Sequence, residues 1–214
     1  MSDAATRLER VRAEIARAAK LARRDPAEIT LVAVSKRRPV AEIEALIVAG
    51  QRDFGESRVQ EAQDKWPTLR AAHPQVRLHM IGQLQSNKAA EAAALFDVIH
   101  SLDRPSLLDA LATAHDHKPT YIQVNIGEEQ QKGGIALGEL GDFLAAVRVS
   151  PVPLAGLMAI PPLGLEPDPF FAFLNELARR HDVVGLSMGM SSDYPLAVTL
   201  GATVVRVGTA LFED

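Results

Sequence analysis

From Thr30 onward the sequence alternates between two periodicities. A short β-branched apolar run is followed by a turn and then by a segment of helical spacing, about eight times over. The apolar runs are Leu31–Ser35, Arg52–Gly55, Val76–Gly82, Asp97–Ser101, Thr120–Ile126, Leu154–Ile160, Val183–Met188 and Thr203–Gly208. Helical stripes lie between them: Val40, Ile43, Leu46 and Ile47; Leu107, Leu108 and Leu111 behind Pro105; Leu140, Phe143, Leu144 and Val147; Phe170, Phe173, Leu174 and Leu177. A strand followed by a crossover helix re-enters its sheet in the same direction, so the order predicts a parallel sheet.

Two closures compete, an open doubly wound sheet and a closed barrel. About eight strands in 214 residues fit a compact barrel. The dinucleotide fingerprint G-x-G-x-x-G is missing after the first strand, where Ser35-Lys36-Arg37-Arg38-Pro39 stands. The expected fold is therefore α/β, a single (β/α)8 TIM-type barrel domain over residues 1–214. Arg52–Gly55 is the weakest strand, short and half polar. The segment from Ser2 to Arg24 carries Leu8, Val11, Ile15, Ala18 and Leu21 at helical spacing and reads as an extra, packed N-terminal helix. Its acids Asp3, Glu9 and Glu14 argue against a transit peptide.

Composition removes several classes of function. A net charge of −4 gives no electrostatic support for nucleic-acid or membrane-surface binding. No apolar stretch is long enough to cross a bilayer. The absence of cysteine excludes disulfides, thiolate metal sites and cysteine nucleophiles, and suits a cytoplasmic location. The six histidines show no metal-ligand spacing.

In such barrels chemistry sits where the strands end. The first strand ends at Lys36. Alone, this lysine reads more simply as a side chain snorkelling to water. Buried at a pocket mouth it would favour its neutral form and become a nucleophile for a carbonyl. The seventh strand runs into Ser187-Met188-Gly189-Met190-Ser191-Ser192-Asp193, ahead of a helix that Pro195 can start. The eighth ends at Gly208-Thr209. Each exit reads separately as helix capping. Both together, opposite a strand-end lysine, read as a phosphate site made of neutral donors and a helix dipole, with no lysine or arginine following either turn. Arg206 lies among valines in the eighth strand. It needs an acceptor, either a carboxylate of a neighbouring element or a ligand atom in the mouth.

Six segments carry a resemblance. They are Leu31 to Lys36, Asp53 to Glu56, Ile81 to Lys88, Gly156 to Pro162, Leu186 to Asp193 and Val205 to Phe212. In order and over nearly the whole chain they resemble the pyridoxal phosphate homeostasis proteins, whose fold is similar to the barrel half of alanine racemase. The resemblance implies pyridoxal 5′-phosphate (PLP) joined as an imine to Lys36, its phosphate on Ser187, the Gly189–Ser191 turn, Gly208 and Thr209, and Arg206 against the pyridine nitrogen. The implied cofactor-binding set is Lys36, Val34, Ser57, His79, Met158, Ser187, Gly189, Met190, Ser191, Arg206, Gly208 and Thr209. No catalytic and no metal-ligating residue is expected. Ser57 stands where most members have asparagine, and Gln83 where many have histidine. Ser57 bears on contact with the cofactor ring; Gln83 is expected to matter less, in a loop.

An arginine at the pyridine nitrogen cannot supply the protonated ring that makes PLP a strong electron sink. An enzyme would also need a second acid–base group on the opposite face. In alanine racemases a tyrosine from a second domain or partner fills that role. This sequence ends at Asp214, no second domain is expected, and its tyrosines are Tyr121, early in the fifth strand, and Tyr194, in a capping or packing position. The expected function is PLP binding and vitamin B6 homeostasis without strong catalysis. Expected partners are PLP, free amino acids and, transiently, PLP-dependent apoenzymes, with the protein a monomer. Two alternatives stand: a PLP-dependent amino-acid racemase or lyase, and a cofactor-free aldolase using Lys36 on a phosphorylated sugar.

Overall fold

In the computed structural model, which describes residues 3–213, eight parallel strands close into a barrel in chain order. They are β1 (Thr30–Val34), β2 (Asp53–Glu56), β3 (Arg77–Met80), β4 (Val98–Leu102), β5 (Thr120–Gln123), β6 (Leu154–Met158), β7 (Gly185–Ser187) and β8 (Val204–Val207). The helices are α1 (Asp3–Leu21), α2 (Val40–Val48), α3 (Val59–Ala72), α4 (Ala89–Leu95), α5 (Pro105–Ala112), α6 (Leu140–Val149), α7 (Asp168–Arg180), α8 (Tyr194–Thr199) and α9 (Thr209–Phe212). Ser2 and Asp214, the ends of the expected helix and domain, lie outside the described residues.

β3, β5, β6, β7 and β8 are shorter than their apolar runs, whereas β1, β2 and β4 keep the expected length shifted by one residue. β5 stops at Gln123 because Val124 pairs with Ile135 of the following loop, and Asn125 N–H donates to Ile135 O at 3.0 Å. Three helical stripes also differ from expectation. α7 buries Phe171, Leu174, Leu177 and Ala178, with Phe170 and Phe173 only partly covered. Val40, in the first turn of α2, and Leu21, at the end of α1, are exposed. Both are terminal residues of their helices.

Most apolar burial lies between the strands and the helical ring. The barrel interior holds a second, small cluster of Val32, Val98, Tyr121, Met158 and Val204. Strand register places polar residues beside them. Asp53 pairs with Val32, His79 with Val98, Ser187 with both Met158 and Val204, and Arg206 with Val32. Barrels of this kind are usually filled with branched apolar side chains. Here a polar seam replaces part of that filling. α1 packs outside the barrel on α2, α8 and α9, where Arg7 Nε donates to Leu211 O at 2.9 Å and Arg24 Nη1 to Val198 O at 2.8 Å.

Candidate functional site

The backbone on either side of Lys36 is tied down by side chains of β2 and α3. Ser35 Oγ donates to Glu56 Oε1 at 2.8 Å. Trp66 Nε1 donates to the same oxygen at 3.0 Å, and Lys65 Nζ lies 2.9 Å from it. Lys65 also donates to Ser35 O at 3.1 Å and to Glu61 Oε1 at 2.9 Å. Glu61 in turn accepts the N–H of Arg37, which sits at φ +61°. Partial burial alone would raise the Glu61 pKa, but the bonds from Lys65 and Arg37 hold it below the usual value.

Lys36 itself is exposed, two residues beyond the end of β1. The burial that the strand end suggested is not present. Its amine makes no hydrogen bond or ion pair among the described residues. Arg37 is exposed, and Arg38 pairs with Glu42 and Glu213.

Two cavities meet at this lysine. The first, about 650 Å³, is lined by Arg10, Val34, Lys36, Met190, Ser191, Ser192, Arg206, Gly208, Thr209, Ala210 and Glu213. The second, about 440 Å³, shares Val34, Lys36, Met190 and Arg206 and adds Ser57, Gly82, Gln83, Gln123, Asn125, Gln131 and Lys132. Both sizes suit a small organic ligand. A further cavity of about 470 Å³ lies around Arg12, Gln51 and Asp53 at the other end of the barrel and holds no lysine.

The β7–α8 turn requires its glycine. Gly189 has φ +95°, and a Cβ there would stand 2.6 Å from Ala197 Cβ. Asp193 Oδ1 accepts the Met190 N–H at 2.6 Å, and Ser191 Oγ accepts the Gly208 N–H at 3.0 Å. Two of the expected phosphate groups thus bond each other and link the β7 and β8 exits. The N–H groups of Ser191 and Ser192 make no hydrogen bond among the described residues. Arg10 of α1 reaches this cavity from nearly 200 positions away in sequence, as its Nη2 to Ala210 O bond of 3.4 Å shows. No local sequence signal marked it. The anion end therefore has a cation in addition to neutral donors.

Arg206 is 4% exposed, and burial pulls its pKa down to about 10. Among the described residues its acceptors are carbonyl and hydroxyl oxygens rather than a carboxylate. Nη1 donates to Ser187 O at 2.8 Å and to Ser187 Oγ at 2.5 Å, and Nη2 donates to Ala159 O at 3.1 Å. A guanidinium has five N–H donors, so the Nε–H and one Nη2–H stay unengaged among the described residues.

Three members of the expected binding set line neither mouth cavity. Ser187 is fully buried and turned inward onto Arg206, because its register with Met158 and Val204 puts it on the barrel's inner face. Met158 fills the inner apolar cluster. His79 is buried in the seam, on Asp53 and His100, and lines neither mouth cavity. Gln83, expected to matter less, lines the second cavity together with Ser57. Its loop is held close, since a Cβ at Gly82 would stand 2.3 Å from Ser57 O.

Neither tyrosine faces the mouth. Tyr121 is buried, stacked on His100 at 4.5 Å, and burial raises its pKa. Tyr194 bonds Glu14 of α1; burial, then that bond, raise its pKa too. Among the described residues no cluster of His, Asp or Glu has metal-ligand geometry.

Closed barrel, lysine at the exit of β1 and bridged β7 and β8 turns together define the class of the alanine racemase N-terminal domain. The family model of that description matches residues 6–214. Within the class, the chain belongs to the pyridoxal phosphate homeostasis protein family. It is 40% identical over 233 residues to the protein of that name from Escherichia coli K12, covering 99% of this chain and 97% of that one. It is 36% identical to the Aquifex aeolicus protein of the same name, covering 99% and 98%. Among solved structures, PipY of Synechococcus elongatus with PLP bound has a TM-score of 0.78 at 39% identity, covering 92% of this chain and 99% of that chain. Alanine racemase of Bartonella henselae, with covalently bound PLP, has a TM-score of 0.74 at 17% identity, covering 97% and 58%. That last likeness is one of fold.

Proposed function

We propose that this chain holds pyridoxal 5′-phosphate covalently through Lys36 and serves vitamin B6 homeostasis as a carrier without strong catalysis of its own. One observation carries the reading: the unpartnered amine of Lys36 stands where two ligand-sized cavities meet, beside an arginine with N–H donors to spare. The residues fit the cofactor. Free amides at Ser191 and Ser192, with Arg10, suit a phosphate dianion. When bound, PLP supplies an electrophilic carbonyl to primary amines. The pinned main chain at Ser35 and Arg37 orients Lys36, and Arg206 offers a donor that cannot give up its proton.

The second cavity, lined by amides, suits a free amino acid. Lys132, beside Lys36 and Arg206 in its lining, is ion-paired with Glu129 at 2.6 Å. Both tyrosines are engaged away from the mouth, which favours carrier over racemase. Transient docking of PLP-dependent apoenzymes, a monomeric state and a cytoplasmic location belong to the same proposal. No helix among the described residues is long and apolar enough to cross a membrane.

The test is an intact mass after incubation with PLP and borohydride reduction. One phosphopyridoxyl group should appear, map to the Lys36 peptide and vanish in Lys36→Ala. An unchanged mass in the parent protein overturns the reading. Incubation with alanine tests the carrier role, and racemisation at enzyme-like turnover would sink it.

A further inference from the structure

Five side chains from five strands form one hydrogen-bonded chain across the barrel interior. Asp53 Oδ1 lies 2.9 Å from His79 Nε2, and His79 Nδ1 lies 2.9 Å from His100 Nε2. His100 Nδ1 lies 2.8 Å from Ser187 Oγ, which lies 2.5 Å from Arg206 Nη1. His79, His100, Ser187 and Arg206 are all buried. The proposed function uses only the last of them.

The acidic end decides the sense of every link. A carboxylate only accepts, so His79 presents Nε2–H to Asp53. Neutral His79 then accepts at Nδ1, and His100 must donate from Nε2. His100 in turn accepts at Nδ1, so the Ser187 hydroxyl points its proton at His100 and its lone pairs at Arg206. The guanidinium, a pure donor, completes the run. A second proton on His100 is opposed first by its full burial and further by the charge of Arg206, which hold its pKa well below the ordinary value. The chain is thus a buried ion pair stretched over three neutral groups. Arg77 Nη1, 3.7 Å from the same Asp53 oxygen, adds a cation on the solvent side.

We propose that Asp53 is a positioning residue for Arg206: through His79, His100 and Ser187 it fixes which guanidinium N–H groups are spent inside the barrel and which are left for the mouth. Without the carboxylate the run can reverse. Ser187 Oγ would then accept from both His100 and Arg206, and the link to Nη1 would weaken. The functional half of this proposal rests on the reading that the mouth holds PLP; the hydrogen-bond half does not.

The experiment starts with the ligand-free protein. Nitrogen-15 NMR of the imidazole rings at neutral pH should find both His79 and His100 as Nε2–H tautomers. Asp53→Asn, which can either accept or donate, should bring in the other tautomer at His100, whereas Arg77→Gln should not. With PLP, Asp53→Asn should raise the dissociation constant about tenfold, or ~1.4 kcal/mol, and move the visible absorption maximum. An Nδ1–H tautomer at either histidine of the parent protein overturns the proposal. So does an Asp53→Asn protein whose tautomers, affinity and spectrum are unchanged. Failure of the parent protein to bind PLP would instead overturn the proposed function and leave the tautomer result to stand by itself.

Discussion

Replacing Lys65 by methionine tests the network that carries Lys36. The ammonium lies 2.9 Å from Glu56 Oε1, with side-chain exposures of 13% and 0%. At that separation and an effective dielectric constant near 20, the attraction is roughly 6 kcal/mol. Desolvation of the ammonium, which the methionine avoids, offsets part of it, so breaking the pair should cost about 4 kcal/mol. Among the described residues nothing nearby compensates, because Glu56 Oε2 is already buried there without a hydrogen-bond partner. For a chain of this length the loss corresponds to a fall of roughly 8–16 °C in Tm. Urea unfolding followed by far-UV circular dichroism measures it as a shift in midpoint at unchanged slope. The double variant Lys65→Met/Glu56→Gln should recover at least half. It removes the stranded charge and keeps a carbonyl for Ser35 and Trp66. A single-variant loss below about 1 kcal/mol, or a double variant no better than the single, would refute the reasoning.

Other outcomes follow from the same geometry. Arg10→Ala should weaken PLP binding about three- to tenfold, and the difference should shrink with added salt, as fluorescence titrations at two ionic strengths would show. Gly189→Ala forces a side chain into φ +95° against Ala197, and should lower stability by about 2–4 kcal/mol in the same urea assay. The depressed pKa of His100 makes the native state bind fewer protons than the unfolded chain at acid pH. Its contribution is complete above pH about 6.5 and is lost as pH falls below that value, at up to ~1.4 kcal/mol per pH unit. Midpoints measured from pH 8 to pH 5 should show that slope, and His100→Asn should flatten it.

The barrel was legible because alternating periods leave few parallel topologies, and even the half-polar run at Arg52–Gly55 formed β2. Its polarity has a cause: Asp53 faces the interior seam. The strand ends carrying Lys36, Ser191 and Gly208 were legible too, since polar and glycine residues gather at the exits of apolar runs. What stayed hidden depends on register or on distant pairing. Ser187 looks like a loop donor until its pairing with Met158 and Val204 turns it inward. His79 and His100 lie 21 residues apart and His100 and Ser187 87, so no window of sequence joins them. Arg10 reads as one more charge on an amphipathic helix until that helix is docked.

That docking has a consequence for what counts as part of the binding domain. α1 contributes no strand, yet Arg7 and Arg24 fasten it to the last two helices and Tyr194 fastens it through Glu14. A shortened protein beginning at the first strand would retain every stave of the barrel and forfeit Arg10 at the rim. By topology the helix is an appendage; by chemistry it is one wall of the cavity that opens at Lys36.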